Sequence, residues 1–435
     1  MVTHVDTVVV GAGHAGLAVS RLLTSAGRDH VVLERGRVAE SWRTERWESL
    51  RLLAPSWMCR LPGWQYDGPD RHGYMTVAQL VGHLEEYAAG VPVETGTPVH
   101  SVDAVGDGYR VVTHGRTWLA RHVVVATGAT GRPAMPAGLL GLDPSIEVVS
   151  PLGYRRPDAL PPGGVLVVGA SSSGVQIAEE LALAGRRVVL SVGSHTRMPR
   201  RYRGIDAYWW LERTGRLSRT IDTMRDRVAA RHEPSYQVVG RAPGDSRPAD
   251  LDLARLQALG VELVGRFQEA DGFRAHFGPA EELAANVATA DRRMHRFLDI
   301  ADHCLHTDVV RDRLDEWPVF PDGSPARPRP VRLGATRERV GLWSEGISTI
   351  VVATGYRPHH PWLRVPVTEP DGSIRQVRGA TPAPGLYVVG QRFQHRRDSA
   401  TLDGARHIAR DVVDHLCAED ARCRRAALYE MEEPA

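Results

Sequence analysis

The chain has 435 residues, of which 42% are apolar and 24% are charged, a balance typical of folded globular proteins. This composition excludes intrinsic disorder as the dominant state. The 54 basic and 52 acidic residues leave a formal charge of +2, so bulk charge favours neither nucleic acid nor an anionic membrane as a partner. A chain of this length exceeds one ordinary hydrophobic core, and we therefore expect two domains.

The cysteines and the apolar runs indicate the cellular compartment in which the protein is expected. Cys59, Cys304, Cys417 and Cys423 include no C-x-x-C pair. This pattern argues against a redox dithiol, a zinc ribbon or a disulfide framework and favours a reducing cytoplasm. Because no run reaches the roughly 18 apolar residues of a membrane span, we expect a cytoplasmic protein with no membrane partner.

The first predicted elements form a strand, a glycine turn, a helix and a second strand. The strand Asp6–Val10 leads into Gly11-Ala12-Gly13-His14-Ala15-Gly16, followed by the helix Leu17–Ala26 and the strand Val31–Leu33, which ends at Glu34. This order is one half of a doubly wound α/β unit.

The glycine turn has the spacing and the position of a dinucleotide-binding loop. Gly11 permits the tight turn, Gly13 lets the backbone approach a pyrophosphate, and Gly16 lets helix and strand pack closely. The helix N-terminus adds free N–H groups for the phosphates, and Glu34 is placed to accept hydrogen bonds from a ribose. We predict that this loop binds a dinucleotide.

The opening pattern recurs in the second half of the chain. After a helix Val77–Ala89, a β-rich stretch Pro92–His114 and a strand ending at Thr127-Gly128, a second strand Val165–Val168 precedes Gly169-Ala170-Ser171-Ser172-Ser173-Gly174. Ser171 stands where the middle glycine would be. No acid follows the next strand, but Arg197 and Arg200 do. Since a basic group suits a 2′-phosphate, we predict an NADPH site, with a solvated basic face as the alternative.

The remaining predicted elements extend to the C-terminus. They are a helix Leu211–Arg231, a Pro-rich return segment Val319–Arg332, a strand before Thr354-Gly355, a strand Leu386–Val389 before Gly390, and a last helix Leu402–Leu416.

Together these motifs resemble the flavin-containing monooxygenase family over nearly the whole chain. Besides the two glycine loops and Glu34, the matching segments are Ser41-Trp42-Arg43, Leu50-Arg51-Leu52, Leu61-Pro62-Gly63, Tyr74-Met75-Thr76, Glu86-Tyr87-Ala88, Ala126-Thr127-Gly128, Ala353-Thr354-Gly355 and Gly385–Gly390. The resemblance implies an α/β fold with two Rossmann-like dinucleotide-binding domains: an FAD domain (1–155 and 330–435) with an inserted NADPH domain (156–329). It also implies that NADPH reduces FAD and that the reduced flavin captures molecular oxygen as a C4a-(hydro)peroxide.

The implied reaction is oxygenation of a small molecule at nitrogen, sulfur or an activated carbon. The sequence departs from the family signature that precedes the second loop, because Tyr154 fits its last position but Ser150 replaces its histidine. Baeyer–Villiger oxygenation, an electron-transfer reductase and a flavin-binding protein without turnover stay open as alternatives. The oligomeric state is also open, a homodimer included.

The candidate cofactor-binding residues lie in the loops and strand ends that carry the resemblance, whereas no catalytic residue and no metal site are predicted. They are Gly11, Gly13, His14, Ala15, Gly16, Glu34, Arg35, Trp42, Arg43, Leu50, Thr127, Gly128, Gly169, Ser171, Ser172, Ser173, Gly174, Arg197, Arg200, Thr354, Gly355, Gly390 and Leu402.

Two further clusters have alternative interpretations. Tyr208-Trp209-Trp210 suits either an apolar substrate wall or ordinary core packing. His395-Arg396-Arg397 suits either contact with a phosphate or anionic substrate, or a solvated loop.

Overall fold

The computed structural model describes residues 1–240, 250–304 and 327–432, with side chains as far as Ala421. Part of the predicted return segment, residues 319–326, lies outside these ranges. The strands are β1 (Val2–Val10), β2 (His30–Leu33), β3 (Arg60–Leu61), β4 (Trp64–Gln65), β5 (Val93–Glu94), β6 (Val99–Val105), β7 (Gly108–Thr113), β8 (Arg116–Val125), β9 (Arg132–Pro133), β10 (Gly141–Leu142), β11 (Glu147–Val149), β12 (Gly164–Val168), β13 (Val188–Ser191), β14 (Thr196–Arg197), β15 (Arg201–Tyr202), β16 (Ile205–Asp206), β17 (Tyr236–Gln237), β18 (Glu262–Val264), β19 (Phe267–Gly272), β20 (Arg274–Phe277), β21 (Arg339–Gly341), β22 (Ile347–Val352), β23 (Tyr356–Arg357) and β24 (Leu386–Val388).

Helices cover both sheets. The α-helices are α1 (His14–Ser25), α2 (Glu40–Thr44), α3 (Val77–Ala88), α4 (Ser172–Leu183), α5 (Ala207–Arg213), α6 (Arg227–Arg231), α7 (Leu253–Ala258), α8 (Ala280–Cys304) and α9 (Leu402–Glu432), and short 3-10 helices span Ser56–Met58, Ala137–Leu139, Pro157–Ala159 and Ile221–Thr223.

The first sheet has seven strands in the order β5-β2-β1-β8-β7-β6, with β24 also paired to β8. Its central strands run parallel, and Val8, Val9 and Val10 of β1 are all buried. Strands covered on both faces are apolar along their whole length, as in other parallel sheets. This accounts for the β-branched run seen in the sequence.

The second sheet is fully parallel and has the order β11-β22-β12-β13-β18. All five residues of β12 are buried. A smaller four-stranded sheet, β10-β19-β20-β21, adjoins it. Two sheets with parallel central strands, each with a glycine turn leading into a helix, confirm the predicted α/β class with two Rossmann-like units.

The predicted domain boundaries need correction, because β11 and β22 belong to the second sheet. Both strands hydrogen-bond within it, β22 lying between β11 and β12, whereas the boundaries at 155 and 330 put them in the first unit. The order of strands in a parallel sheet depends on crossover connections that local sequence does not reveal. We propose that the inserted unit runs from β10, which pairs with β19, to β22, and that the antiparallel pair β9–β23 joins the two units.

The segment predicted as one helix, Leu211–Arg231, is interrupted. Helix α5 ends at Arg213, and Gly215 follows with φ +68°, the left-handed conformation that commonly ends helices. Trp209 and Trp210 on α5 are fully buried and pack edge to face at 4.8 Å. They therefore belong to the core.

Helix α9 is longer than predicted and packs against α1. The buried carboxylate of Asp420 ties it to the first sheet through ion pairs with Arg28 and with His122, the latter at 3.0 Å. Asp6 also pairs with Arg28, at 2.7 Å. Asp6, His122 and Asp420 are near enough to share a metal ion, but the guanidinium already bonds both carboxylates, so we interpret the group as an ion-pair network. No helix in the described ranges has the length and apolar character needed to cross a bilayer.

Candidate functional site

The first glycine loop is held by close backbone contacts. The Gly11 N–H donates to the carbonyl of Leu33 at 2.8 Å, and Gly11 has φ +110°. A Cβ at Gly11 would lie 2.8 Å from the carbonyl oxygen of Ala126, and one at Gly16 would lie 2.0 Å from the carbonyl oxygen of Gly11. Glycine at these two positions is therefore a requirement of the fold itself.

Gly13 differs, because a Cβ there would meet no atom within 4 Å. Gly13 is the N-cap of α1, makes no capping bond and is followed by no acid in the first turn. The first N–H groups of a helix lack intrahelical partners and attract anions. An open space in front of such groups fits a pyrophosphate.

Glu34 lies at the end of β2 and holds the loop from the side. Its buried carboxylate accepts the N–H of Ala12 at 2.7 Å and the N–H of Gly36 at 3.0 Å, one on each oxygen. Each oxygen keeps a second lone pair, which is compatible with a ribose hydroxyl. The next residue, Arg35, is exposed and pairs with Glu45. Its side chain is thus held by a protein carboxylate at the surface.

The carboxyl ends of three parallel strands meet at this loop. Gly128, after β8, and Gly390, after β24, have φ +80° and +76°. A Cβ on Gly390 would lie 3.1 Å from the Cβ of Ala15 and 3.9 Å from the Cα of Gly128. Ligands of open α/β sheets bind at such strand ends. Thr127, also predicted here, is exposed.

His14 stands between the starts of α1 and α9. Burial, and secondarily the charge of Arg46, lowers its pKa to about 4, although a hydrogen bond with the backbone of Ala400 acts in the opposite direction. Nε2 is buried and has no hydrogen-bond partner among the described residues. The ring is therefore neutral near pH 7 with one nitrogen free. Thr401 caps α9 by accepting the Gly404 N–H at 3.1 Å, and Leu402 is buried in its first turn.

The second loop repeats the geometry of the first. Gly169 has φ +110°, and a Cβ at Gly174 would lie 1.8 Å from the carbonyl oxygen of Gly169. Ser171, with φ −82° and ψ −173°, matches Gly13, with φ −80° and ψ 178°, and its side chain also makes no capping bond. Serine thus keeps the backbone of the loop and adds a hydroxyl group to it.

A cavity of about 480 Å³ opens in front of the second loop. It is lined by the loop from Gly169 to Ser173 and by residues at the end of β13 and in the turn after β22. The lining includes Gly169, Ser171, Ser172, Ser173, Ser191, Gly193, Ser194, Arg266, Thr354, Gly355, Tyr356 and Arg392. The Thr354 hydroxyl donates to the carbonyl of Ala134 at 2.5 Å, so its role in the turn is structural.

The predicted 2′-phosphate contacts of Arg197 and Arg200 are wrong. Arg197 is buried between two carboxylates, Asp252 at 2.6 Å and Asp291 at 2.5 Å. Arg200 is also buried, and it pairs with Asp206 at 2.5 Å. Buried guanidinium groups need such partners, and exchanging them for a ligand would leave carboxylates unpaired.

Another arginine lies nearer to the cavity. A Cβ on Gly193, just after β13, would be 3.5 Å from the guanidinium carbon of Arg266. Arg266 is 54% exposed and pairs with Glu282 at 3.1 Å. The hydroxyl of Ser191 is already engaged, because it donates to Gly265 at 2.9 Å and accepts from Phe267 at 2.8 Å. Sequence reasoning missed Arg266 because it follows β18, a strand distant in sequence from the loop.

A narrow cleft separates the second loop from residues of the first unit. A cavity of about 200 Å³ is lined by Trp42, Arg46 and Leu50 from the first unit and by Ser172 and Ser173 from the second. Arg43 differs from the prediction, because its guanidinium donates to the carbonyl of Val38 at 3.1 Å and pairs with Glu85. It is therefore held against α3.

A larger cavity of about 690 Å³ adjoins both strand-end turns. It is lined by Gly128, Gly355 and Tyr356 and by the segments around Ile374 and Gln391. Apolar, amide and charged groups all contribute to its wall. Such a mixed wall can bind and orient a small molecule.

Comparison with known proteins identifies the family. The family described as pyridine nucleotide-disulphide oxidoreductase matches residues 8–208. Indole-3-pyruvate monooxygenase YUCCA1 of Oryza sativa subsp. japonica is 31% identical over 436 residues, covering 93% of this chain and 90% of that protein. The chain belongs to the flavin-containing monooxygenase family.

Two other proteins are similar to this chain over most of its length. A CzcO-like oxidoreductase of Geobacillus kaustophilus is 27% identical and covers 94% of this chain and 99% of its own. The solved flavin-containing monooxygenase from Stenotrophomonas maltophilia has a TM-score of 0.63 at 20% identity, covering 96% of this chain and 99% of that one, and shares the fold. The predicted resemblance, the enzyme class and the use of FAD and NADPH are thereby confirmed.

Proposed function

We propose that the protein is an NADPH-dependent monooxygenase that forms a C4a-(hydro)peroxyflavin and oxygenates a small molecule at nitrogen, sulfur or an activated carbon. The observation that carries this proposal is the pair of glycine loops with the same geometry, whose helices both begin without a capping side chain. Ser172 and Ser173 of the second loop line the cleft together with Trp42, Arg46 and Leu50 of the first unit, so a hydride donor bound at the second loop would extend toward the first unit.

The first loop would hold FAD. The N–H groups at the start of α1 would bind the pyrophosphate in the space in front of Gly13, and Glu34 would accept a ribose hydroxyl. Gly128 leaves room for the chain of the cofactor at the end of β8, because a Cβ there would meet no atom within 4 Å. His14, neutral and with a free Nε2, would hydrogen-bond to the cofactor between the two helix starts.

The second loop would hold NADPH. Ser172 and Ser173 lie at the start of α4 and line both the 480 Å³ cavity and the cleft, so a bound nucleotide would extend from one into the other. Arg266 and Ser194 line the same cavity beyond the end of β13, where the 2′-phosphate is expected. We propose Arg266 in place of Arg197 and Arg200.

The substrate would enter the cavity of about 690 Å³, whose size suits a small organic molecule. Its wall shares Thr354, Gly355 and Tyr356 with the nucleotide cavity. A substrate there would lie beside the cleft in which the two cofactors meet.

The test is a coupled assay with isotopically labelled O₂ and a panel of amines, sulfides and ketones. We expect at least one substrate to accelerate NADPH consumption and to carry one labelled oxygen atom per NADPH. Ester formation from a ketone would instead identify Baeyer–Villiger oxygenation. Consumption of NADPH that yields only hydrogen peroxide with every substrate, or that needs an added electron acceptor, would refute the proposal.

A further inference from the structure

A fourth cavity, of about 420 Å³, has a strongly basic wall and is lined by no residue of the two glycine loops. One side is the turn Leu61-Pro62-Gly63 between β3 and β4, and the other is the face of α9 that carries Arg406, His407 and Arg410. We call it the basic cavity. The cavity at the second loop and the cleft share no lining residue with it.

Four guanidinium groups line the basic cavity, and two of them have no protein partner. Arg396 pairs with Asp398 at 2.8 Å, and Arg406 pairs with Asp403 at 2.8 Å. Arg378 and Arg410 make no hydrogen bond or ion pair in the part of the chain that the structure describes. Asp411 is the one carboxylate among the lining residues, so positive charge remains in excess.

The helix face carries two like charges, of which Arg406 is paired with Asp403 and Arg410 is not. Arg406 and Arg410 are four residues apart on α9 and line the same cavity. Like charges at this spacing destabilise a helix. Arg378 adds a third cation from the opposite side, on a turn where it has φ +48°. A bound anion would offset the repulsion among these groups.

His407 supplies a second, independent sign of a missing partner. Its Nε2 is buried and has no hydrogen-bond partner among the described residues. Burial, together with the charges of Arg396 and Arg406, lowers the pKa of the ring, which is therefore neutral near pH 7. In the Nε2–H tautomer this nitrogen can donate to an anion.

We propose that the basic cavity binds a small phosphate ester. Cations converge on it from the turn at Arg378, from Arg396 and from the helix face at Arg410. Several directions of approach match the three terminal oxygens of a phosphate group better than the two of a carboxylate, and guanidinium groups bind phosphate with directed hydrogen bonds. The cavity is larger than a phosphate ion, so the ester's organic part would lie against Leu61 and Pro62.

The test is calorimetric titration of the FAD-loaded protein in saturating NADP⁺, which fills the dinucleotide phosphate sites. Inorganic phosphate and glycerol 3-phosphate serve as probes at low ionic strength. We expect saturable binding of both, with the ester bound more tightly. Arg378→Gln/Arg410→Gln should weaken binding at least about ten-fold, whereas Asp411→Asn should strengthen it.

Arg364→Gln is the matched control, because Arg364 is 63% exposed and lies outside the lining of the basic cavity. Neither Arg378 nor Arg410 has a protein partner to lose, and removing Arg410 relieves its repulsion with Arg406, so the double variant should unfold at no lower a temperature than the parent. Absence of saturable heat would overturn the proposal. So would equal affinity in the parent and the double variant, or an equal loss in Arg364→Gln.

Discussion

Two glycines of the first loop are expected to respond in opposite ways to an added side chain. In Gly16→Ala the new Cβ would lie 2.0 Å from the carbonyl oxygen of Gly11, so helix and strand must separate. Such overpacking typically costs about 1–3 kcal/mol of stability. In Gly13→Val the side chain enters empty space, at φ −80° and ψ 178°, where valine is unstrained. The fold should be retained, but the valine side chain would occupy the space proposed for the pyrophosphate.

The cost of Gly13→Val in FAD affinity follows from the contacts it removes. One or two hydrogen bonds from backbone N–H groups to a charged phosphate are worth about 1.5–3 kcal/mol each, which predicts at least ten-fold weaker binding. The assay combines flavin content on purification, FAD titration of the apoprotein and thermal unfolding of the apoprotein. Full flavin occupancy in Gly13→Val would show that the space in front of Gly13 does not hold the pyrophosphate. A loss of apoprotein stability as large as that of Gly16→Ala would show that the fold itself requires glycine at this position.

The remaining predictions concern arginines and an acidic anchor. Arg266→Ala should weaken NADPH binding about ten-fold, because one charge-assisted contact is lost. NADH binding should be unchanged in the same steady-state assays. Equal effects on both nucleotides would exclude a contact between Arg266 and the 2′-phosphate. Arg197→Ala should instead cost about 3–5 kcal/mol of unfolding free energy in urea, because it leaves buried carboxylates unpaired, and should not change the ratio of NADPH to NADH affinity. Burial alone would raise the pKa of Asp420, but hydrogen bonds from Arg28 and His122 outweigh it and lower the pKa. Its contribution to stability is therefore present above the ordinary aspartate pKa and should be lost as pH falls below about 4; Asp420→Asn should remove that part of the pH dependence, and an unchanged pH profile would contradict this assignment.

The glycine loops were predictable because their requirements are local. Gly11 and Gly16 are close in sequence to the strand and helix that they join, so spacing alone indicates their role. Gly390 was harder to interpret, since its contact with Ala15 joins distant parts of the chain. The resemblance to a family supplied that link, whereas spacing did not.

The errors arose where the deciding partner is distant in sequence. Arg197 follows a strand in the position of a phosphate contact, but its partners are Asp252 and Asp291, far along the chain. Whether an arginine binds a ligand or a buried carboxylate depends on tertiary structure. Arg266 was missed for the same reason, because it follows β18, a strand that is distant in sequence from the second loop.

The proposed reduction by NADPH and formation of a flavin–oxygen adduct are tested most directly by the absorbance spectrum of the flavin through one catalytic cycle. The purified protein is reduced anaerobically with NADPH and then mixed rapidly with oxygenated buffer. We expect NADPH to bleach the oxidised flavin and a transient absorbance of the flavin–oxygen adduct to precede its return. Failure of NADPH to reduce the flavin, or a direct return to oxidised flavin with one hydrogen peroxide per NADPH, would contradict the proposal.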